Sequence, residues 1–155
     1  MSTTIESTDL VPVPRIVVGV DGSPQSLLAL RWAARYAADI NGSVEAVTAW
    51  RVATTWELPY GWDAQKEASE TLDRALTEVF GGQPPPSVVH TVLPGTAAQV
   101  LLTVAKDAAM LVVGSRGHGG FVGMLLGSVS SAVAEHAPCP VLIVHGDLAG
   151  LPLKW

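Results

Sequence analysis

Cysteine is almost absent from this sequence, and none of its apolar runs is long. The single cysteine, Cys139, cannot form an internal disulfide or a cysteine-based metal cluster, and such usage fits a reducing compartment. No apolar stretch approaches the roughly 18 residues that span a bilayer. Residues 1–13 also lack the basic segment and apolar core of a secretory signal. We therefore expect a cytoplasmic protein with no membrane partner.

Charge is scarce as well. Charged residues make up 15% of the chain, apolar residues make up 48%, and the formal net charge is -5. Because no basic cluster is available to neutralise a phosphate backbone, these values argue against a nucleic-acid partner. So little charge indicates additional buried surface, such as a subunit interface, although an ordinary monomer rich in Ala and Val has a similar composition.

Three familiar motifs are missing. A Walker A loop ends in Gly-Lys-Ser/Thr, whereas here Gly127 is followed directly by Ser128. The turn after the first apolar run, residues 20–24, contains no Gly-x-Gly-x-x-Gly fingerprint. No Gly-x-Ser-x-Gly elbow surrounds Ser115 or Ser128. Since no nucleophile–base pair or metal-ligand cluster is visible either, we predict no catalytic residue and no protein-built metal site.

Apolar strands and amphipathic helices alternate along the rest of the chain. The predicted strands cover 15–21, 44–50, 87–93, 110–113 and 141–144, and the predicted helices start at Ser23-Pro24 and cover 63–80, 96–107 and 128–136. Nearly continuous apolar strands are typical of a parallel sheet that helices cover on both faces. The sequence therefore predicts an α/β fold.

The domain organisation is expected to be simple. We interpret residues 1–14 as a flexible N-terminal segment, 15–145 as a single domain and 146–155 as a C-terminal tail. The Gly/Pro-rich run at 81–86 resembles a linker, but it is short and the chain after it is too small to fold alone. It is better interpreted as a stiff surface loop.

The most informative stretch runs from Leu111 to Ser131. It joins a short apolar strand to six glycines and then to a serine-rich helix start. Glycine lets backbone amides approach an anion, and the first amides of a helix are unpaired donors, so this arrangement predicts a phosphate site. If the first and fourth strands are neighbours, the Asp21-Gly22-Ser23 turn faces the same cleft.

The glycines follow the spacing Gly114-x2-Gly117-x9-Gly127-Ser128. With this motif, and with matching segments at 18–23 and 138–144, residues 15–145 resemble the universal stress protein family, specifically its ATP-binding branch. The resemblance implies an open, Rossmann-like five-stranded parallel sheet of order 3-2-1-4-5 with helices on both faces. It also implies a homodimer formed through the last strand, Val141–Val144, whose edge would otherwise be exposed.

The resemblance further implies the residues that contact ATP. On the nucleoside side it points to Val20, Asp21, Ala49, Val113 and Gly114. On the phosphate side it points to Gly117, Gly127, Ser128 and Val129, with Ser130 as a further hydroxyl. Arg116 and His118 could supply positive charge, or could be ordinary solvent-facing loop residues. Asp21 could instead be a turn or helix-cap aspartate.

These features together predict an ATP-binding protein that acts as a nucleotide-dependent regulator in a stress response. One alternative is a slow ATPase that would use Mg²⁺ held through the phosphates. Another is a dimeric scaffold that binds no nucleotide.

Overall fold

The computed structural model describes residues 11–51, 62–118 and 123–146. Its strands are β1 (Arg15–Gly19), β2 (Ser43–Trp50), β3 (Val88–Pro94), β4 (Met110–Gly114) and β5 (Val141–Val144), and its helices are α1 (Pro24–Asp39), α2 (Ala64–Phe80), α3 (Ala97–Val104) and α4 (Ser128–His136). All strand pairs are parallel, and the strand order is β3-β2-β1-β4-β5. The predicted fold class and strand order are therefore confirmed.

Strand β1 lies at the centre of the sheet and contributes to two cores. Ile16 and Val18 point to the face that α1 and α2 cover, whereas Val17 points to the face that α3 and α4 cover. All three side chains are fully buried, and each contributes about 1.5–3 kcal/mol through loss of contact with water. Helices on both faces explain why the strands are continuously apolar rather than alternating.

Caps define most of the helix boundaries. Ser23 is the N-cap of α1, and its hydroxyl accepts the amide of Ser26 at 3.3 Å. Helix α2 follows the N-cap Asp63 and stops at Gly81, whose φ of 67° is left-handed. Helix α3 ends at Val104 rather than at the predicted Asp107. Asp107 has a φ of 63°, which a right-handed helix cannot contain.

Strand β1 lies between β2 and β4, and this position indicates which edge of the sheet is expected to bind a ligand. Chain order reverses on the two sides of β1, and in open α/β sheets ligands bind at the carboxyl ends of the strands beside such a switch. Strand β1 ends at Gly19, two residues before its predicted end. The Val20 amide still donates to the Val47 carbonyl at 2.9 Å, and the chain then leaves the sheet.

In the parts of the chain that the structure describes, none of the helices combines the length and the apolar character needed to cross a membrane.

Candidate functional site

A cavity of about 320 Å³ opens at the carboxyl edge of the sheet between β1 and β4. Its size lies within the usual range of small-molecule sites. All twelve residues named from the sequence line it: Val20, Asp21, Ala49, Val113, Gly114, Arg116, Gly117, His118, Gly127, Ser128, Val129 and Ser130. Residues that are far apart in the sequence thus share one wall, although the binding role of each one stays a prediction.

One half of the cavity is aliphatic. Its walls include Gly19, Val47, Ala49, Ala97, Leu101 and Val113. Gly19 allows α3 to approach closely, because a Cβ at this position would lie 2.8 Å from Leu101 Cδ1. This half can bury a flat apolar group, such as a nucleobase, between β1, β2 and α3.

Asp21 connects the β1 turn to the glycine-rich loop. Its Oδ1 accepts the Ser23 amide at 2.9 Å, and its Oδ2 accepts the His118 amide at 3.2 Å. Burial raises the pKa of this carboxyl, but the hydrogen bonds from Ser23 and His118 and the Ser26 side chain outweigh burial, so the pKa lies below its ordinary value of 3.8. Asp21 is therefore ionised at neutral pH.

Gly117 is a glycine because of Asp21. A Cβ at position 117 would overlap Asp21 Oδ2. Any larger residue would have to displace the carboxylate from its amide donors. The second glycine of the motif is thus explained by contact within the protein, before any ligand is considered.

Gly127 and the start of α4 have a different environment. Gly127 is the N-cap, and the nearest atom to a Cβ built on it is Arg116 Cα at 3.5 Å, an ordinary contact distance. Its amide donates to the Ser115 carbonyl at 2.7 Å. The amides of Ser128, Val129 and Ser130 have no intrahelical acceptor, and no described side chain caps them. These donors and the positive end of the helix dipole favour an anion.

Two hydroxyls lie at this helix start. The Ser128 side chain is exposed to the cavity. The Ser130 side chain is buried, and its hydroxyl lies 2.8 Å from the Ser115 carbonyl and 3.1 Å from the Gly127 carbonyl. A hydroxyl has only one proton, and Ser130 donates it to one of these two backbone carbonyls. Ser130 can therefore only accept a hydrogen bond from a ligand.

Arg116 and His118 are exposed and line the cavity. Their backbone amides are already used, since Arg116 N donates to Gln25 Oε1 and His118 N donates to Asp21 Oδ2. Only their side chains could bring positive charge to a bound anion.

Sequence reasoning missed several residues of the site. Ser115 and Gln25 hold the loop, and the further lining residues are Gly19, Ser26, Val47, Thr48, Ala97, Leu101, Met124 and Leu126. A signal was available for Ala97 and Leu101, which lie at i and i+4 at the start of a helix that follows a strand of the sheet. No sequence pattern identifies Gln25 as a partner of Ser115, because 90 residues separate them.

Comparisons with known proteins agree with this fold. The model of the universal stress protein family matches residues 12–145. The chain is 37% identical over 147 residues to universal stress protein Rv2623 of Mycobacterium tuberculosis, covering 88% of this chain and 49% of that protein. It is 38% identical over 148 residues to universal stress protein Rv2005c of the same organism, covering 91% and 50%. The chain thus spans about half the length of the curated relatives it matches.

Solved structures show the same likeness. A universal stress protein crystallised in complex with cAMP is 29% identical to this chain, with a TM-score of 0.66 over 85% of this chain and 97% of that one. Universal stress protein UspA from Lactobacillus plantarum is 21% identical, with a TM-score of 0.66 over 87% and 99%, and shows the fold alone. From the family match over most of its length, and from these relatives, the chain belongs to the universal stress protein family.

Proposed function

We propose that this chain binds ATP in the cavity between β1 and β4, and that its occupancy regulates a cytoplasmic stress response. The observation that carries the proposal is the combination of three features in one cavity. These are an aliphatic half, an ionised carboxylate at Asp21 and the amides that begin α4, for which the described residues offer no acceptor. An adenine nucleotide has a group that suits each of these features: an apolar base for the aliphatic half, a hydroxylated ribose for Asp21 and an anionic phosphate chain for the α4 amides.

Charge decides which way the nucleotide lies. An ionised Asp21 would repel phosphate oxygens, but it accepts hydrogen bonds from ribose hydroxyls or an adenine amino group. The α4 amides and the Ser128 hydroxyl have the opposite preference and stabilise phosphate. The base therefore belongs in the aliphatic half beside Ala49 and Leu101.

Magnesium would depend mainly on the phosphates. Among the described residues, no group of three or more His, Cys, Asp or Glu side chains is arranged to hold a metal ion. Asp21 is a poor ligand for Mg²⁺, because both of its carboxylate oxygens already accept hydrogen bonds from backbone amides. Mg²⁺ is often held through phosphates and water with few protein ligands, and the Ser128 hydroxyl lies on the wall where the phosphates are proposed.

A binding role is favoured over catalysis. Asp21 is the only carboxylate in the described cavity wall, and its lowered pKa and occupied oxygens make it a weak general base. Binding energy would then serve to shift the protein between conformational or partner-bound states. Because a structural relative at 29% identity was crystallised with cAMP, a cyclic or monophosphate adenine nucleotide is the second candidate ligand.

Calorimetry on protein stripped of copurifying nucleotide tests this proposal. We expect ATP to bind with micromolar or tighter affinity, and to bind more tightly than cAMP or AMP. Gly127→Val should abolish binding, because Gly127 lines the cavity at the N-cap of α4. We expect circular dichroism to show an intact fold, because a Cβ at this position has only ordinary contact distances. Tighter binding of cAMP would replace the ATP assignment, and unchanged ATP affinity in Gly127→Val would refute the site. Phosphate release above background with Mg²⁺ would favour the ATPase alternative.

We also propose that two copies of the chain pair through β5. Among the described strands, β5 pairs only with β4, which leaves one edge without a hydrogen-bonded neighbour. Val141, Leu142 and Ile143 on this edge strand are only partly buried. The curated relatives are about twice as long as this chain, which leaves room for two such domains in one polypeptide.

A further inference from the structure

Gln25 lies at the start of α1 and contacts the glycine-rich loop, which is remote in sequence. Its Oε1 accepts the Ser115 hydroxyl at 2.6 Å and the Arg116 amide at 2.7 Å. A backbone amide can only donate, so the atom that faces it must be the side-chain oxygen of Gln25. One oxygen thus holds two consecutive residues at the point where β4 becomes the loop.

Ser115 transmits this contact to the start of α4. Its amide donates to the Val144 carbonyl at 2.8 Å, and its carbonyl accepts the Gly127 amide at 2.7 Å and the Ser130 hydroxyl at 2.8 Å. Ser115 is almost completely buried, with 1% of its surface exposed. A shift of Ser115 would therefore move the residues that precede and begin α4.

The approach of α1 to this point also explains the first glycine of the motif. A Cβ on Gly114 would lie 2.9 Å from both the carbonyl carbon and the Cβ of Gln25. Because one of these atoms belongs to the α1 backbone, it cannot rotate away. The close packing at Gly114 and the hydrogen bonds at Ser115 and Arg116 thus bring Gln25 to a defined place against the loop.

We propose that Gln25 is a positioning residue for the phosphate half of the site, and that it gives the cavity its preference for nucleotides with a phosphate chain. This inference rests on the proposed function. Gln25 would act through Ser115 on the α4 amides, rather than by touching the ligand. Loss of its oxygen should therefore weaken phosphate binding, whereas the aliphatic half, built by β1, β2 and α3, keeps its shape.

Gln25→Met tests this inference, because methionine has a similar length and lacks the acceptor. We expect ATP affinity to fall about tenfold, the effect of losing about 1.4 kcal/mol of hydrogen bonding. Adenosine affinity should change less than about twofold, since the nucleoside half is untouched. If Gln25 only stabilised the fold, the variant would bind ATP and adenosine more weakly by the same factor. Ser115→Ala removes one of the two hydrogen bonds and should lower ATP affinity less, and the double variant should be no weaker than Gln25→Met alone.

Amide hydrogen exchange in the ligand-free protein separates this inference from the proposed function. In Gln25→Met, the amides of Arg116 and Gly127 should exchange faster, while the β1 and β2 amides keep their protection. If the original protein binds no ATP, the proposed function fails, and exchange still decides whether Gln25 positions the loop. If ATP binds but the variant changes neither the ATP-to-adenosine preference nor exchange, the inference is overturned. Should Gln25→Met not fold, Ser115→Ala, which removes one of the two hydrogen bonds, should still lower ATP affinity more than adenosine affinity, and an equal loss for both ligands would then overturn the inference.

Discussion

Asp21 lines the cavity and joins the turn after β1 to the glycine-rich loop. Its carboxylate accepts amides from the β1 turn and from His118 in the glycine-rich loop, and its position requires glycine at 117. The same carboxylate lines the cavity and can accept a donor from a ligand. The structure thus combines the two sequence interpretations of Asp21, because a turn aspartate is here also a cavity residue.

Asp21→Asn should change the response of stability to acid. The pKa of Asp21 in the folded protein lies below its ordinary value of 3.8, so the unfolded chain binds more protons as the pH falls. The stabilisation is complete above the ordinary pKa and is lost as the pH decreases through the folded value. We expect Asp21→Asn to lower the free energy of unfolding by about 1 kcal/mol at neutral pH, because the side-chain NH2 group of asparagine replaces one of the two acceptor oxygens. The free energy of unfolding of this variant should also decline less steeply in acid.

Urea unfolding between about pH 3 and pH 7 measures this effect. Asp63→Asn is the matched control, because it removes a carboxylate at a helix N-cap outside the cavity and asparagine caps equally well. If Asp21→Asn and the original protein lose stability in parallel in acid, the hydrogen bonds to Asp21 do not have the role assigned here.

At the scale of a single element, the start of α4 carries the donors that the proposed phosphate site requires in place of a Walker lysine. Gly127 precedes the helix with an extended ψ of 173°, and its amide donates a hydrogen bond to the Ser115 carbonyl. The following amides remain available as donors, and the helix dipole favours negative charge at the same point. By contrast, the N-cap Thr96 accepts an amide of α3 through its own side chain, so that helix start is partly satisfied.

Two substitutions at Ser128 separate the contribution of its hydroxyl to ATP affinity from the contribution of its backbone amide. Ser128→Ala removes only the hydroxyl, and we expect ATP affinity to fall about threefold to tenfold. Ser128→Pro also removes the amide, while proline is favoured at the first position of a helix and the extended Gly127 tolerates it. Here affinity should fall about a hundredfold. Calorimetry gives the affinities, and circular dichroism verifies that the helix content is retained. Equal affinities for the two variants would show that the amide does not contribute.

At the scale of the whole molecule, topology brings the site together. Placing β1 between β2 and β4 puts the Asp21 turn, the Ala49 end of β2 and the loop after β4 at one edge. The two hydrophobic cores pack against the sheet from its opposite faces. The same topology leaves β3 and β5 as the outer strands of the described sheet.

Proline substitutions on the two outer strands test the proposed dimer. The Ser115 amide donates to the Val144 carbonyl, so by strand alternation the backbone of Ile143 points away from β4. The same alternation directs the His90 amide away from β2, since the Val44 amide donates to the Ser87 carbonyl. We expect sedimentation to show a dimer at micromolar concentration, Ile143→Pro to be largely monomeric, and the control His90→Pro to remain dimeric. A monomeric original protein, or a dimeric Ile143→Pro, would contradict pairing through β5.

The sequence alone determined the α/β class, the order of elements along the chain and the residues of the two loops that meet at the cavity. It could do so because continuous apolar strands, helix caps at Ser23 and Asp63, and the glycine spacing are local signals. Element ends were less predictable. Whether β1 stops at Gly19, and whether α3 stops at Val104, depends on neighbouring strands and on a left-handed Asp107 that residue types do not reveal.

Only the tertiary structure decided why positions 114 and 117 require glycine and what holds the loop. Gly114 makes room for Gln25 and Gly117 makes room for Asp21, whereas a Cβ on Gly127 would have only ordinary contacts. These reasons are contacts between residues that are distant in the chain. Such contacts arise because the β1 turn and the start of α1 pack against the end of β4 and the loop after it, so no local pattern contains them. The sequence therefore predicts a phosphate site at this loop, and the packing of the β1 turn and α1 against the loop determines the shape of the loop.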